Sequence, residues 1–425
     1  MNNFLGIVKH KIISAGNFVF VFLKWIIIAS LTGVLCGFIG AAFDKSIDFV
    51  SEQFSRHYWF IFILPVSALA IVGLYKLCKV EMKVGTNNVI NSIRTTEKVP
   101  LLLIPLIFVS TVLTHLGGGS AGREGAALQI GGAIGNQFGR LIRLKEKDLH
   151  LITLCGMSGL FAALFGTPLT ATIFAIEVIS IGVVYYSALV PCITSSLTAY
   201  AITKMLGVEA VRFKLSEIPK PGAVSIIQIV VLAGICAAVS IAFCFSLHGT
   251  EKLFKKYIKN EYLRILSGAA IIVVLTLIFK SRTYNGTGMS IIKTAIEEGK
   301  ARPYDFVMKT VFTAITIGCG LKGGEMVPTF FVGATLGCFA GGLLGINPAF
   351  AAAIGFIAMF CAVMNCPIAS MVLSIEVFGT GGILFFAIAC AVSYLLSGYY
   401  GLYTSQKIVY SKLTAEYINK DTKPM

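Results

Sequence analysis

Two long stretches of this chain carry almost no charge, and they limit what it can fold into. Between Leu151 and Thr203 the single acidic or basic side chain is Glu177, and between Met326 and Gln406 it is Glu376. Each stretch is long enough for two or more membrane crossings of about 20 residues each. Over the whole chain 56% of residues are hydrophobic and 13% are charged, whereas ordinary globular domains have about 25% charged residues. The sequence therefore predicts an integral membrane protein with a packed, multi-pass core.

The excess of positive charge fits a membrane protein better than a nucleic-acid-binding one. The formal net charge is +15, but the lysines and arginines are scattered through short connections and both tails. This distribution is typical of basic cytoplasmic loops that border membrane spans. We expect a multi-pass protein of the cell membrane with both termini cytoplasmic, and no nucleic-acid partner.

Cysteine and histidine give no indication of a metal site. The eleven cysteines lie mostly within apolar runs, without a CxxC pair or a histidine at ligand spacing, and the five histidines are dispersed. Cysteines in this setting are usually buried and reduced. No HExxH motif is present. We expect no metal, no cofactor and no enzymatic activity.

A glycine-rich stretch, residues 117–126, places Arg123 and Glu124 inside the apolar part of the chain, directly before a helix-like segment. Glycines let the backbone approach a ligand closely. The start of the following helix offers unpaired N–H groups and the positive end of a dipole, which suit an anion. A carboxylate there would compete with the anion until it binds a proton. The stretch therefore predicts an anion site gated by protonation of Glu124.

The two halves of the chain repeat. Pro168 to Val178 can be laid on Pro367 to Val377 at an offset of 199, with proline and glutamate nine residues apart in both. At an offset of 202, Gly122, Gly131 and Gly135 meet Gly324, Gly333 and Gly337. Glycine-interrupted, duplicated membrane segments are typical of transporters whose site lies at the repeat interface.

The predicted organisation follows from this repeat. It consists of a cytoplasmic lead over residues 1–16, a first membrane repeat over 17–206, a linker over 207–222, a second repeat over 223–406 and a cytoplasmic tail over 407–425. The lead and tail are expected to be amphipathic, and no soluble regulatory domain is expected.

Four segments, in this order, resemble the anion-site segments of the CLC chloride channel and transporter family. They are the asparagine-containing turn after Gly85, the run Gly122-Arg-Glu-Gly-Ala126, the turn Gly324-x-x-x-Pro328 and the late Gly401-Leu402-Tyr403. The resemblance implies an all-α, inverted-repeat helical bundle with broken helices that forms a homodimer. It also implies that Glu124 is the gating glutamate and that Tyr403 lies near an inner anion site.

In its first and third segments the chain departs from the chloride-type pattern and resembles the fluoride-exporting branch of that family. Chloride-type members usually carry Gly-Ser-Gly-Ile-Pro in the first segment, where this chain has Asn87 or, with a one-residue shift, Thr86 at the serine position. In the third segment Glu325 and Met326 stand where a Gly-x-Phe-x-Pro pattern is usual. Many proton-coupled chloride exchangers keep a second glutamate directly after the position of Glu177, where this chain has Val178. We therefore expect no inner proton relay of the chloride-exchanger kind, and we expect proton transfer to depend on Glu124, helped by Glu325.

The resemblance implies a set of site residues. Gating and proton transfer are assigned to Glu124 and Glu325. The anion-binding residues are Gly85, Thr86, Asn87, Asn88, Gly122, Arg123, Gly125, Ala126, Gly324, Met326, Val327 and Tyr403.

The expected function is the export of fluoride in exchange for protons, with chloride/proton exchange or passive anion conduction as the alternatives. The expected partners are fluoride or chloride, protons, the lipid bilayer and a second copy of the chain, and the expected location is a bacterial inner or plasma membrane. Backbone N–H groups, with amide or hydroxyl side chains, supply the strong donors that a dehydrated fluoride needs.

Some of these residues have a structural interpretation beside the functional one. The guanidinium of Arg123 is expected to pair with a carbonyl or carboxylate outside the pathway. Glu177 and Glu376, at matching repeat positions, are expected to share a role in capping or helix contacts. Glu325 is either a second proton carrier or a hydrogen-bond anchor for its turn.

Overall fold

The fold is a bundle of helices, as the sequence predicted. The computed structural model describes residues 2–95, 99–215 and 217–422, with the backbone alone for 2–15 and 17. The described α-helices, in chain order, are α1 (Asn2–Arg56), α2 (Leu64–Leu77), α3 (Thr86–Ser92), α4 (Leu103–Leu116), α5 (Glu124–Leu141), α6 (Glu146–Phe165), α7 (Pro168–Glu177), α8 (Leu189–Met205), α9 (Ala223–Tyr257), α10 (Glu261–Phe279), α11 (Met289–Lys293), α12 (Asp305–Cys319), α13 (Met326–Leu343), α14 (Pro348–Met364), α15 (Pro367–Phe378) and α16 (Ile383–Leu396).

By length and composition, six of the described helical segments can cross a membrane. They are Phe18–Arg56, Tyr58–Leu77, Glu146–Phe165, Ala223–Tyr257, Glu261–Phe279 and Met326–Leu343. Five further apolar helices, of 10–17 residues, are too short to cross a bilayer on their own. Short helices of this kind are stable at membrane depth when their ends are buried in protein.

Two long apolar stretches of the sequence, residues 151–176 and 349–378, are each broken into a helix pair. The chain turns at Gly166 between α6 and α7, and at Asn365 between α14 and α15, and both residues have positive φ (+72° and +57°). A proline follows as the first residue of the new helix in each case. A left-handed residue ends a helix and proline starts the next one without losing a hydrogen bond.

Glu177 and Glu376 cap each other's helices across the two repeats. The Glu177 carboxylate accepts hydrogen bonds from Ile368 N (3.2 Å) and Ala369 N (2.8 Å) at the start of α15. Glu376 accepts from Leu169 N (3.0 Å) and Thr170 N (2.7 Å) at the start of α7. Each carboxylate satisfies N–H groups that the start of a buried helix leaves free. The expected shared structural role of these glutamates is confirmed.

Glycines bring the helix pairs α5–α6 and α13–α14 into close contact. A β-carbon on Gly131 would lie 2.3 Å from the carbonyl oxygen of Gly156, and one on Gly135 would lie 2.1 Å from that of Ile152. The second repeat shows the same arrangement, with Gly333 against Gly355 O at 2.3 Å. Small residues at such contacts let helix backbones pack tightly within a membrane.

A small sheet near the C-terminus was not expected from the sequence. Its strands are β1 (Ser180–Ile181), β2 (Lys407–Tyr410) and β3 (Tyr417–Asp421), with β1 parallel to β2 and β2 antiparallel to β3. The tail therefore folds back onto the membrane part instead of forming only an amphipathic end. Thr422 donates from Oγ1 to Tyr403 O at 2.7 Å and so holds the preceding loop.

The predicted division into lead, repeats, linker and tail stays a prediction. Helix α1 runs without a break across the expected boundary at residue 16, and no helix lies between Leu206 and Gly222 in the described residues. The amphipathic lead concerns side chains that lie outside the described ones, as do residues 423–425 of the tail.

The reciprocal caps predict a stability effect. We expect Glu177→Ala and Glu376→Ala each to lower the free energy of unfolding by about 1 to 2 kcal/mol, because each leaves two backbone N–H groups without an acceptor. Thermal unfolding of the purified protein in detergent measures this. Glu52→Ala is the control, because Glu52 pairs with Arg56 on the surface and such pairs contribute about 0 to 1 kcal/mol. Equal stability of all three variants would contradict the capping role.

Candidate functional site

The two glycine turns predicted to form the site meet in the structure. Gly122 N donates to Gly324 O at 2.6 Å, and Gly324 N donates to Gly122 O at 2.7 Å. A β-carbon on Gly324 would lie 2.4 Å from the backbone nitrogen of Gly125. Only glycine allows the backbones to come this close, so the pair fixes the starts of α5 and α13 beside each other.

The two helix starts are equivalent in the repeat but carry different side chains. Helix α5 begins at Glu124 after Arg123, and α13 begins at Met326 after Glu325. At the offset of 202, Arg123 corresponds to Glu325, so a cation and a carboxylate occupy equivalent positions. Both helix starts present free N–H groups and a positive dipole end, which favour a negative charge.

The carboxylate of Glu124 occupies the start of its own helix. The side chain is 2% exposed, and its Oε2 accepts a hydrogen bond from Arg123 N at 3.1 Å. Its Oε1 lies 3.5 Å from Nε of Arg123. A deprotonated Glu124 is therefore held where a small anion would otherwise find the same donors.

Arg123 pairs with carboxylates, as its structural interpretation predicted. Its Nη1 contacts Asp44 Oδ1 in an ion pair and donates to Asp48 Oδ1 at 3.2 Å. Both aspartates lie on α1. The guanidinium thus joins α1 to the start of α5, and contact of Arg123 with an anion stays a prediction.

A polar cavity of about 360 Å³ collects several of the other predicted residues. Its lining includes Gly85, Thr86, Asn87, Glu325 and Tyr403. The charged or titratable side chains that complete the lining are Lys83, His248, Glu251, Lys255, Glu261, Arg264 and Lys322.

Three buried polar atoms at this cavity have no hydrogen-bond partner in the protein. They are Oε2 of Glu325, Oε1 of Gln129 and the hydroxyl of Tyr403. A β-carbon on Gly125 would lie 3.1 Å from Oε2 of Glu325, so this carboxylate lies against the first turn of α5. Unpartnered buried polar groups are costly in a folded protein. Their convergence on one cavity indicates a place for water or a polar ligand.

The side chains of the first turn have different partners. Asn88 Oδ1 accepts from Gly85 N at 3.1 Å and closes the turn itself. Asn87 Oδ1 accepts from Ser405 N at 3.1 Å and ties the turn to the loop after Tyr403. Thr86 Oγ1 accepts from Gln129 Nε2 at 3.0 Å. Both Asn87 and Thr86 line the cavity, so either can stand at the serine position of the chloride-type pattern.

The remaining predicted anion-binding residues are outside the cavity lining. They lie in the two glycine turns or the first turns of α5 and α13, and they are Gly122, Arg123, Gly125, Ala126, Gly324, Met326 and Val327. Their roles stay predictions.

Sequence reasoning missed Gln129 and Lys322. Gln129 is 7% exposed and lies five residues after Glu124 in a segment of small and apolar residues, which is a signal that could have identified it. Lys322 donates from Nζ to Met82 O at 2.5 Å and lies 4.8 Å from the ring centroid of Tyr75. Its signal was a basic residue directly before Gly323 in an apolar part of the chain.

The cavity and Asp48 lie toward opposite ends of the bundle. Glu261 and Arg264, near the start of α10, line the cavity. A second cavity, of about 390 Å³, is lined by Arg282, just beyond the end of α10, and by Ser51 on α1. Asp48 is about one turn from Ser51, so the charged cluster at Arg123 lies toward the second cavity.

In the described ranges, no group of three or more His, Cys, Asp or Glu side chains could hold a metal ion.

Known proteins are similar to this chain over most of its length. Residues 68–398 match the family model for voltage gated chloride channels. A "Chloride/fluoride channel protein" of Pseudomonas syringae pv. tomato is 34% identical over 396 residues, 92% of this chain and 87% of the relative.

Solved structures show the same fold. A CLC-type fluoride/proton antiporter superposes with a TM-score of 0.88 at 33% identity, covering 91% of this chain and 98% of that one. A slow cyanobacterial Cl⁻/H⁺ antiporter has a TM-score of 0.76 at 18% identity, covering 88% of this chain and 94% of its own.

The contact between the two glycine turns predicts which glycines can be changed. We expect Gly324→Ala to destabilise the protein by about 1 to 3 kcal/mol, because its β-carbon would collide with backbone that cannot move aside. Gly342→Ala is the control on the same helix, since the nearest atom to its β-carbon would be Pro348 Cγ at an ordinary 3.7 Å. The thermal unfolding midpoint measures both. A Gly324→Ala protein as stable as the control would contradict the close approach.

Proposed function

The chain belongs to the voltage-gated chloride channel (CLC) family, and we propose that it is a secondary active transporter that exports fluoride in exchange for protons. Members of this family are channels and transporters, and we assign no enzymatic activity to the chain. One observation carries the proposal, namely that the Glu124 carboxylate is bound at the start of α5 in a position that suits an anion. The fluoride-linked names of the relatives at 33% and 34% identity support the choice of ion.

The exchange would use Glu124 as a gate. Deprotonated, the carboxylate takes the donors at the start of α5 and excludes the anion. Protonated, it loses its attraction to Arg123 and to the helix dipole, so it can swing aside and admit fluoride. Release of the proton on the other side returns the carboxylate to its place. Each cycle would move a proton inward and fluoride outward.

Glu325 is proposed as the second proton-handling group. The position after Glu177 is a buried valine, Val178, and Glu177 itself is bound to two backbone N–H groups. In contrast, Oε2 of Glu325 has no partner and the residue lines the cavity. A carboxylate in this position can take a proton from water in the cavity and hold it against the first turn of α5.

The fluoride ion suits this site chemically. Fluoride is small and strongly hydrated, so dehydration requires strong donors in return, and the amide group of Asn87 and the hydroxyl of Tyr403 line the cavity beside backbone N–H groups. Because HF is a weak acid, fluoride can share a proton with a carboxylate more readily than chloride can.

The wider setting of the transporter is also proposed. We place it in the inner or plasma membrane of a bacterium, as a homodimer with one pathway in each subunit and with both termini cytoplasmic. The apolar helices of the membrane part and the bacterial relative support this placement.

The gate predicts the loss of proton coupling in one variant. In liposomes that hold the purified protein, an outward fluoride gradient is expected to drive protons inward, and Glu124→Gln is expected to abolish this movement because an amide neither binds nor releases the proton. A fluoride electrode and an internal pH dye measure the two fluxes, and a chloride gradient of equal size tests the chloride alternative. Glu52→Gln, on the surface, is the control. Proton movement that persists in Glu124→Gln would overturn the proposal.

A second variant tests the proton role of Glu325. Glu325→Gln keeps the shape of the side chain but cannot carry a proton, so we expect coupled transport to fall by about tenfold or more, in line with the loss of a proton-transfer group. The same liposome assay measures it, with thermal unfolding as a check on folding. A well-folded variant with unchanged coupling would reduce Glu325 to an anchor for its turn.

A further inference from the structure

The guanidinium of Arg123, at the start of α5, contacts three carboxylates. Arg123 contacts Asp44 and Asp48 through Nη1, and contacts Glu124 through Nε at 3.5 Å. Asp44 and Asp48 are four residues apart on α1, so they lie on the same face of that helix. Three carboxylates and one cation leave an excess of negative charge in this cluster when all are ionised.

The three carboxylates differ in their exposure to solvent. The side chains of Asp44 and Glu124 are 6% and 2% exposed, and Arg123 is 13% exposed, whereas Asp48 is 69% exposed. Charges act strongly on one another away from water and weakly in it. The charge of buried Asp44 therefore acts on Glu124 more strongly than that of Asp48, which solvent largely screens.

Oδ1 of Asp44 has only the ion-pair contact with Arg123. This oxygen is buried and accepts no hydrogen bond. The site thus contains a buried carboxylate that no backbone group or hydroxyl holds at that oxygen. That oxygen neither closes a turn nor caps a helix, unlike the oxygens of Glu177 and Glu376.

The other titratable groups on the elements that surround Glu124 make no ion pair with it among the described residues. On α1, Lys45 is exposed. From α4, Nδ1 of buried His115 lies 2.8 Å from Thr111 O, and from α13, Glu325 lies beyond Gly125. Lys309 of α12 donates to Tyr284 O and Gly286 O.

The remaining neighbours of α5 leave Arg123 as the relevant cation. Helix α3 has no charged side chain, and those of α6 lie in its first turns, near Leu149, which packs against Gly139 at the far end of α5. Among the described residues, Arg123 is the cation in ion-pair contact with Glu124.

We infer that Asp44 is a positioning residue that sets the pH range in which the Glu124 gate binds its proton, by sharing the guanidinium of Arg123. This inference rests on the proposed gate. With Asp44 ionised, much of the positive charge of Arg123 is neutralised, so less of it remains to hold Glu124 in the deprotonated form. Without that negative charge, Arg123 attracts Glu124 more strongly, and a proton must compete with a better ion pair.

The test is the pH profile of Asp44→Asn. The initial rate of fluoride efflux from liposomes, with the same pH on both sides, is measured from about pH 4.5 to about pH 8.5 in steps of about half a unit. Removing the Asp44 charge favours the ionised Glu124, so the midpoint of the profile is expected to move to lower pH by about one unit or more, as for a carboxylate that gains a nearby cation.

Matched variants separate charge from shape. Asp44→Glu keeps the charge and is expected to restore the wild-type midpoint. Asp48→Asn removes a negative charge that contacts the same guanidinium but is exposed to solvent. Its shift of the pH midpoint is therefore expected to be less than about half of that in Asp44→Asn. In a Glu124→Gln background, Asp44→Asn is expected to have no effect on the profile, because the titrating group is gone.

The outcomes are distinguishable. A parallel loss of rate at every pH, with an unchanged midpoint, would make Asp44 a scaffold residue only and overturn the inference, as would a shift to higher pH. If the wild-type protein moves no protons with fluoride, the proposed function fails instead. A wild type that couples normally, beside an Asp44→Asn profile identical to it, refutes the inference alone.

Discussion

The rest of the site depends on two glycine backbones being hydrogen-bonded to each other. The pair formed by Gly122 and Gly324 brings the starts of α5 and α13 together, and side chains there would keep them apart, since β-carbons on Gly324 and Gly125 would both meet backbone atoms within 3 Å. Once the helix starts are fixed, each offers unpaired N–H groups. The carboxylates of Glu124 and Glu325 then lie within one turn of this contact. The proposed anion site therefore depends on that backbone contact more than on any single side chain.

The duplication separates scaffold from chemistry. Residues with a structural role are the same in both halves, as with the reciprocal caps Glu177 and Glu376 and the glycines that pack α5 on α6 and α13 on α14. Residues at the helix starts differ, because Arg123 is equivalent to Glu325, and Glu124 to Met326. A symmetric scaffold thus holds an asymmetric pair of carboxylates, of which Glu124 contacts a cation and Glu325 has one oxygen without a hydrogen-bond partner. In the proposed exchange, this asymmetry would let the two ends of one pathway differ in how they bind and release protons.

The sequence predicted what depends on local pattern and on repetition. Low charge density predicted the membrane helices, and the repeat predicted the meeting of the glycine turns and the shared role of Glu177 and Glu376. The ion pair of Arg123 with Asp44 and the bond from Gln129 to Thr86 join residues 79 and 43 positions apart, and no periodicity encodes such contacts. The break at Gly166 and the strand pairing of the tail depend on tertiary packing, which overrides an apolar run that would otherwise read as one span.

The arrangement of the two carboxylates also bears on how protons reach the pathway without a second glutamate beside Glu177. The oxygens of Glu177 are bound to Ile368 N and Ala369 N, so taking a proton there would weaken the cap of α15. Oε2 of Glu325 accepts no hydrogen bond from the protein. Glu325 lies at a cavity whose lining includes both acidic and basic side chains. A proton bound at Glu325 would neutralise a charge next to the first turn of α5, and in the proposed exchange the anion and Glu124 compete at that turn. In the proposed exchange, proton and anion binding would therefore be linked through one shared helix start.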